Sequence, residues 1–345
     1  MKQIMLFIFL VLSGYGLCAK ETLQSAFITR WKTNNPGSSG NNQVTIPSSG
    51  TGYHYTVHWV KVNDPSISGK GAGPYTGDVT LTFPIAGIYR VSISGDFPRI
   101  FFNDIMDKEK ILAVEQWGTN PWQSMHRAFQ GCSNLAVMAE DVPNLQNVTD
   151  MSYMFSKATS FDQPIGLWDV SNVTNMSHMF FQAYAFNQSI EDWDVGKVKD
   201  MSVMFFGASS FNQFIGSWDV GNVTDMSAMF SVATAFNQDI GNWDISSTIK
   251  MSRLFRGARK FNQSLGKWNV SKVIDMGFML NGSGLSVANN DATLMGWAAL
   301  PSLQHNVNLQ ASGLQYCNGK TARNTLMNTH NWNIKDEGAN CTLMH

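Results

Sequence analysis

The sequence has little charge, and neither sign dominates. Lys and Arg number 24 and Asp and Glu number 25 among 345 residues, which leaves a formal net charge of −1. A chain without a basic field has no long-range attraction for nucleic acid or for an anionic membrane. The composition therefore predicts no nucleic-acid partner.

Long apolar runs are absent after the first twenty residues. Lys2, an apolar run over residues 4–12 and the small residue Ala19 are typical of a secretory signal peptide over residues 1–19. The run has about half the ~20 residues that a membrane-spanning helix needs, although an anchor and lipidation at Cys18 remain alternatives. We therefore expect an exported protein, secreted or on the cell surface of a bacterial envelope, with no membrane insertion after signal cleavage.

Catalytic and cofactor motifs are also missing. The sequence has no His-Glu-x-x-His, no Gly-x-Ser-x-Gly, no P-loop and no dinucleotide fingerprint. Among the histidines only His54 and His58 have a spacing that could serve a metal ion, on one face of an alternating strand. We expect no enzymatic activity, no catalytic residue, no cofactor and no metal site.

A 25-residue period dominates the centre of the chain, without insertion or deletion between residues 151 and 276. The columns are Met151, Met176, Met201, Met226, Met251 and Met276; Trp168, Trp193, Trp218, Trp243 and Trp268; and Phe161, Phe186, Phe211, Phe236 and Phe261. A unit of this length is too small to fold alone. Stacked copies must bury each other's faces, which predicts a solenoid.

Each repeat is predicted to contain a short strand and a short helix. The stretch from the Phe to the Trp column is aromatic and β-branched and has a Gly turn, as in a strand followed by a bend. Val223, Met226, Met229 and Phe230 have the spacing of one helical face. The expected fold class is therefore a mixed α/β repeat protein made of 25-residue coils.

Outward columns are identified by their variability. The position two after each Met reads Tyr153, His178, Val203, Ala228 and Arg253, a mixture that only a solvent-exposed face accepts. The candidate exposed interaction surface consists of Tyr153, His178, Tyr184 and Arg253. Recurring Asp residues, such as Asp194 and Asp200, are interpreted as turn and cap residues, with a calcium ladder or a catalytic acid as alternatives.

The segments before and after the repeats have a different sequence pattern. Residues 22–102 have the pattern of strands and turns and are predicted to form a small all-β sandwich. Residues 103–142 are predicted to form an N-terminal cap with a first irregular repeat. The solenoid is predicted over residues 143–280, and a helical C-terminal cap over residues 281–345. Cys317 and Cys341 lie within that cap and are predicted to form a disulfide. Cys132 falls in the column that elsewhere holds Ala, so it is interpreted as a small buried thiol, with a reactive cysteine as the alternative.

The stretch "WDVSNVTNMSHMFFQAYAFNQSI" and its copies resemble the bacterial surface leucine-rich-repeat proteins of the BspA type, whose unit is called the DUF285 repeat. The resemblance covers residues 120–280 and implies a leucine-rich-repeat-like solenoid with a role in surface adhesion. The upstream sandwich is similar to immunoglobulin-like PKD domains.

The favoured hypothesis is a non-enzymatic secreted or cell-surface protein that mediates adhesion through an extended repeat surface. Its partner is expected to be an extracellular protein or glycan. The alternatives are a carbohydrate-binding or carbohydrate-active exported protein and a structural subunit of a surface fibre.

Overall fold

The structure, a computed structural model, describes residues 25–342. The predicted signal peptide and Cys18 lie outside the described residues. Regular secondary structure is concentrated before residue 138 and after residue 286. No helix in the described part of the chain is long and apolar enough to cross a membrane.

Eight β-strands form the N-terminal part. They are β1 (Phe27–Lys32), β2 (Gln43–Ile46), β3 (His54–Lys61), β4 (Asp64–Lys70), β5 (Val79–Thr82), β6 (Ile88–Asp96), β7 (Ile111–Gln116) and β8 (Ala136–Val137). Six of them form one sheet in the order β4-β3-β6-β1-β7-β8, and β2 pairs separately with β5. In β3 the buried Tyr55 and Val57 alternate with exposed residues, as expected for a strand with one face on a core.

The sheet continues past residue 102, where the sandwich was predicted to end. β7 pairs antiparallel with β1 and parallel with β8. One hydrophobic core extends from Phe27 in β1 through the repeats to Ile334. The strands and the repeats therefore share a core, and the likeness of the sheet to a PKD-like domain stays a prediction.

A buried ion pair stabilises the loop after β1. The side chains of Lys110 and Asp107 are 1% and 0% exposed, and Lys110 Nζ lies 3.6 Å from Asp107 Oδ1. The ammonium donates four hydrogen bonds of 2.7–3.0 Å to oxygens of Ser39, Gly40 and Gln43. Asp107 accepts hydrogen bonds from Ser39 and from the β2 backbone. Burial lowers the pKa of Lys110, against the opposing attraction of Asp107.

The prediction of a leucine-rich-repeat-like solenoid with a strand and a helix in each coil is wrong. Residues 143–280 contain no strand and no helix, and turns and single parallel bridges form them instead. The two helices of the described residues, α1 (Val287–Ala298) and α2 (Lys320–His330), both follow the repeats. The regular secondary structure is thus mostly β.

Left-handed residues explain why the helical spacing does not produce a helix. The position two after each Met has a φ of 55–62° in every repeat, as at Tyr153 and Val203, and a second left-handed residue follows four positions later, as at Lys157. A left-handed residue every fourth position is incompatible with an α-helix. The N–H groups bond three residues back instead, as from Met154 to the Met151 carbonyl at 3.2 Å.

We call residues 151–158 and their equivalents the turn ladder. The N–H groups of Met151, Tyr153, Phe155 and Lys157 donate to carbonyls of the next repeat at 2.6–3.0 Å, and the same four bonds recur at each junction between Met125 and Asn281. All of these bonds run from the earlier repeat to the later one. The repeats therefore stack in register, with equivalent residues as neighbours.

Replacing Val203 with Gly is expected to raise the free energy of unfolding by about 0.5–1 kcal/mol. The left-handed backbone costs an L-residue about 1–2 kcal/mol, which exceeds the backbone entropy that Gly adds. Urea denaturation measures the difference. Val203→Ala is the control, and its free energy of unfolding should increase less because alanine keeps the Cβ atom. A glycine variant that is less stable than wild type would contradict the prediction.

The columns predicted to face inward are buried, which confirms them. Phe155, Ala158 and all their equivalents in the four following repeats are 0% exposed. The Phe155-type rings stack 5.5–5.8 Å apart. Trp218 Nε1 donates to the Ile190 carbonyl at 3.0 Å, and the neighbouring Trp residues repeat this bond.

Amide side chains join the repeats on another face. Asn187 Oδ1 accepts from the Asn212 N–H at 2.9 Å, and Asn212 Oδ1 accepts from the Asn237 N–H at 2.8 Å. Gln238 Nε2 also donates to the Asn212 carbonyl. The recurring Asn-Gln pairs therefore form a structural ladder between the repeats.

The C-terminal residues, predicted as a helical cap, return to the 25-residue spacing. β9 (Asn308–Gln310) and β10 (Asn333–Lys335) pair in parallel at that spacing. Trp332 Nε1 donates to the Gln304 carbonyl at 2.8 Å, with the same offset of 28 residues as the repeat Trp bonds. Helices α1 and α2 contact each other, and α2 contacts β10.

The cysteines agree with the sequence prediction. Cys317 and Cys341 form a disulfide that joins the last two segments of the stack. Cys132 is fully buried and unpaired. Burial raises the pKa of its thiol, which makes it a poor nucleophile.

Candidate interaction surface

The outward side chains of the turn ladder form one face of the repeat stack. Tyr153, His178 and Arg253 occupy one column of this face, and Tyr184 lies on it in the same repeat as His178. Tyr184 and Arg253 are exposed, whereas Tyr153 and His178 are half-buried. All four candidates therefore reach solvent on the same face.

Aromatic and guanidinium groups stack at the N-terminal end of this face. The rings of Tyr153 and His178 lie 4.2 Å apart and within 14° of parallel. The guanidinium carbon of Arg127 lies 4.8 Å from the centre of the Tyr153 ring, close enough for a cation–π interaction. We call this group the aromatic row. It consists of Arg99, Phe101, His126, Arg127, Tyr153 and His178.

The aromatic row contains buried polar atoms without a partner among the described residues. They are Nε of Arg99, Nε of Arg127 and Nδ1 of His178. A buried polar group that makes no hydrogen bond is costly.

Both histidines of the row are held neutral. Burial lowers the pKa of His178 and of His126, and it outweighs the attraction of a nearby carboxylate in each case. His126 Nδ1 lies 2.7 Å from the Ser152 hydroxyl and 3.7 Å from Asp150. At neutral pH the row therefore carries charge only on its two arginines.

Acidification is expected to destabilise the folded chain below pH 6.5. Both histidines have folded pKa values below 6.5, so the unfolded chain binds protons that the folded chain does not. The contribution of the two neutral histidines to the free energy of unfolding is fully present above about pH 6.5. It is lost as the pH falls toward the pKa values of the folded state.

The free energy of unfolding from urea titrations at about pH 7.5 and about pH 5 measures this loss. The variant His126→Gln/His178→Gln should show a smaller decrease between the two pH values. An equal decrease in the variant would contradict the assignment.

The structure does not bring all the predicted residues together. Tyr184 lies in the same repeat as Phe181, whose ring stacks on that of Phe206 with centroids 5.2 Å apart. Arg253 lies three repeats beyond His178, where its guanidinium carbon is 5.6 Å from the Phe278 ring centre. The face thus has an aromatic end and a separate arginine end.

The acidic columns accept hydrogen bonds from backbone N–H groups. Asp200 and Asp225 each accept a hydrogen bond from the N–H two residues on, and Asp194 and Asp219 do the same in a second column. This is turn chemistry, as the sequence predicted. Within residues 25–342 no group of three His, Cys, Asp or Glu side chains is placed to share a metal ion.

Sequence reasoning missed part of the aromatic row. Arg99, Phe101 and Arg127 precede the strict period, because the preceding Met125 lies 26 residues before Met151 rather than 25. Allowing this one-residue offset would have placed Arg127 in the column of Tyr153.

The sequence profile of a family described as "Mycoplasma protein of unknown function, DUF285" matches the chain twice, over residues 99–205 and 188–293. Together the two matches span more than half of the chain. This chain belongs to the DUF285 family. The DUF285 matches include every repeat and all residues of the aromatic row, whereas strands β1–β6 lie before them. No curated protein and no solved structure matches the chain significantly.

Proposed function

We propose that this DUF285 protein is a non-enzymatic secreted or cell-surface protein that binds an extracellular protein or glycan through its turn-ladder face. The observation that supports this most is the aromatic row. Its rings are stacked and half-buried, so they are held in place before a ligand arrives. Pre-ordered aromatic and arginine side chains are the usual anchors of binding surfaces.

The repeat columns support the same proposal. The inward Phe, Ala and Trp columns keep one residue type, whereas the outward column that contains Tyr153 and His178 accepts Val and Ala in later repeats. The scaffold therefore does not require rings at these positions. Extended repeat surfaces are common binding faces.

Export is part of the proposal. The N-terminal segment has the pattern of a signal peptide, and a disulfide suits an oxidising compartment. The resemblance to BspA-type surface proteins favours adhesion at a bacterial envelope, with the N-terminal sheet as a PKD-like spacer.

Binding of the purified exported protein to glycan and matrix-protein arrays tests this function. The variant Tyr153→Ala/His178→Ala should lose binding, and the scaffold should accept it because Ala228 occupies the same column. The matched control is Glu191→Gly/Asp192→Ser, which introduces the residues of positions 216 and 217 on another face. This control should bind like wild type.

Three outcomes would contradict the proposal. Uniformly negative arrays with assembly into filaments in solution would favour a fibre subunit. Release of reducing sugar from an arrayed glycan would favour an enzyme. Equal losses in the variant and its control would show that the aromatic row is not the binding site.

A further inference from the structure

One repeat differs from the others in charge. Residues 251–275 contain six Lys and Arg and one Asp, whereas residues 151–250 contain four Lys and Arg and ten Asp and Glu. The near-neutral total of the chain hides this segregation. The fifth repeat is therefore a local concentration of positive charge in an otherwise acidic stack.

Four of these cations lie in the turn ladder of this repeat or directly after it, and we call them the basic patch. The patch consists of Arg253, Arg256, Arg259 and Lys260. All four side chains are exposed. The equivalent positions of the fourth repeat hold Ala228, Ser231, Thr234 and Ala235. The fold therefore does not need cations at these positions.

The basic patch is not neutralised from within the described chain. None of its side chains is in an ion pair with a described carboxylate. By contrast, Lys250, just before this repeat, pairs with Asp225 at 3.4 Å, and Lys157 at the other end of the face pairs with Asp104 at 2.7 Å. Repulsion among four unpaired cations costs free energy that a ligand would relieve.

The face around the patch also lacks acids. Asp and Glu are absent from the ten residues that follow the Met in each of the five repeats. These stretches are residues 152–161, 177–186, 202–211, 227–236 and 252–261. The acidic column that comes nearest directly precedes the Met, where Asp200 and Asp225 cap the first turn of the ladder. An anion that approaches the basic patch therefore meets guanidinium and ammonium groups that are not paired with a described carboxylate.

We propose that the basic patch binds an anionic glycan, a polysaccharide that carries carboxylate or sulfate groups. This proposal rests on the proposed function and names its ligand class. Guanidinium groups recognise carboxylate and sulfate oxygens through paired hydrogen bonds. The exposed ring of Phe278, beside Arg253, offers a flat apolar surface to a sugar ring.

The observations favour a glycan over other polyanions. The net charge of −1 gives no general attraction for nucleic acid. A polysaccharide presents rings and anions alternately along one chain, which suits a patch that combines arginines with an exposed ring. Acidic polypeptide and DNA are therefore the competitors in the test.

The test compares binding of heparin, polygalacturonate, neutral dextran, poly-glutamate and single-stranded DNA to the full exported chain. The variant Arg253→Ala/Arg256→Ser/Arg259→Thr/Lys260→Ala carries the residues of the fourth repeat. It should bind heparin or polygalacturonate at least about tenfold more weakly than wild type does. The difference in affinity between wild type and the variant should decrease at high salt, because salt screens the charge pairing. The smaller variant Arg259→Thr/Lys260→Ala should show an intermediate loss.

The matched control is Lys70→Gln/Lys197→Gln/Lys199→Gln/Lys335→Gln, which removes four exposed cations outside the patch. It should keep wild-type affinity within about twofold. Melting temperatures verify that all variants are folded.

Several results would overturn the proposal. They are no binding of either acidic glycan by wild type, equal losses in the patch variant and the control, and binding of poly-glutamate or DNA as tight as that of the glycans. If array ligands are lost with Tyr153→Ala/His178→Ala but kept by the patch variant, the glycan proposal fails while the proposed function stands.

Discussion

Replacing Trp218 with Ala is expected to lower the free energy of unfolding by about 3–5 kcal/mol, the usual cost of deleting a buried aromatic side chain. Trp218 is 4% exposed and lies in a column of five Trp residues. Its Nε1 donates to the Ile190 carbonyl at 3.0 Å, so the truncation also leaves a buried acceptor unpaired.

Chemical denaturation of Trp218→Ala, Trp218→Phe and Ser217→Ala measures this effect. The Phe variant keeps most of the buried ring area and should lose less than the Ala variant. Ser217 is exposed beside the Trp and is the control, with a change within about ±0.5 kcal/mol. An unchanged midpoint for Trp218→Ala would show that the Trp column does not stabilise the stack.

Replacing Lys110 with Met should also cost about 3–5 kcal/mol, because it leaves the buried Asp107 carboxylate without its cation. Four hydrogen bonds from Nζ to the loop after β1 are lost as well. The expected result is a lower unfolding free energy together with faster amide exchange in that loop.

The double variant Asp107→Asn/Lys110→Met tests the pairing directly. The asparagine amide introduced at position 107 keeps an acceptor for Ser39 and the β2 backbone but carries no charge, so the double variant should be more stable than Lys110→Met. Additive losses in a double-mutant cycle would show that the two groups do not interact.

The buried columns could be predicted from the sequence because the Phe, Ala and Trp columns keep one residue type through five repeats. Phe155, Ala158 and Trp168 needed no knowledge of the backbone to be placed inside. Hydrophobic identity and a strict period were enough, since stacking places equivalent residues against each other.

The backbone between those columns could not be predicted in this way. Apolar residues three and four apart fit a helix, but they also fit turns with a left-handed residue every fourth position. The first left-handed position holds Tyr153, His178 and Val203, which give no signal of a positive φ. The second position holds Gly207, Gly257 and Gly282 in half of the repeats, a signal that the helical hypothesis did not use. The helical hypothesis therefore failed at positions where tertiary hydrogen bonds fix the backbone against its local preference.

The candidate surface was predicted only in part. Variability identified the column of Tyr153, His178 and Arg253, yet it could not show that the first two are stacked and the third is remote. Counting charge repeat by repeat would have revealed the basic patch. The C-terminal return to the period had a sequence signal too, the shared pattern His-Asn-x-Asn at residues 305–308 and 330–333.

The one-way hydrogen bonds of the turn ladder give the stack an electrical polarity. Each donated N–H points toward the later repeat, so the aligned peptide dipoles place partial positive charge at the C-terminal end of the ladder and partial negative charge at the start. An α-helix has the opposite sense. The same sense continues past the fifth repeat, where the N–H groups of Leu280 and Gly282 donate to the carbonyls of Gln310 and Ser312. The positive end therefore lies in the C-terminal segment beyond the basic patch, and the negative end faces the arginines of the aromatic row.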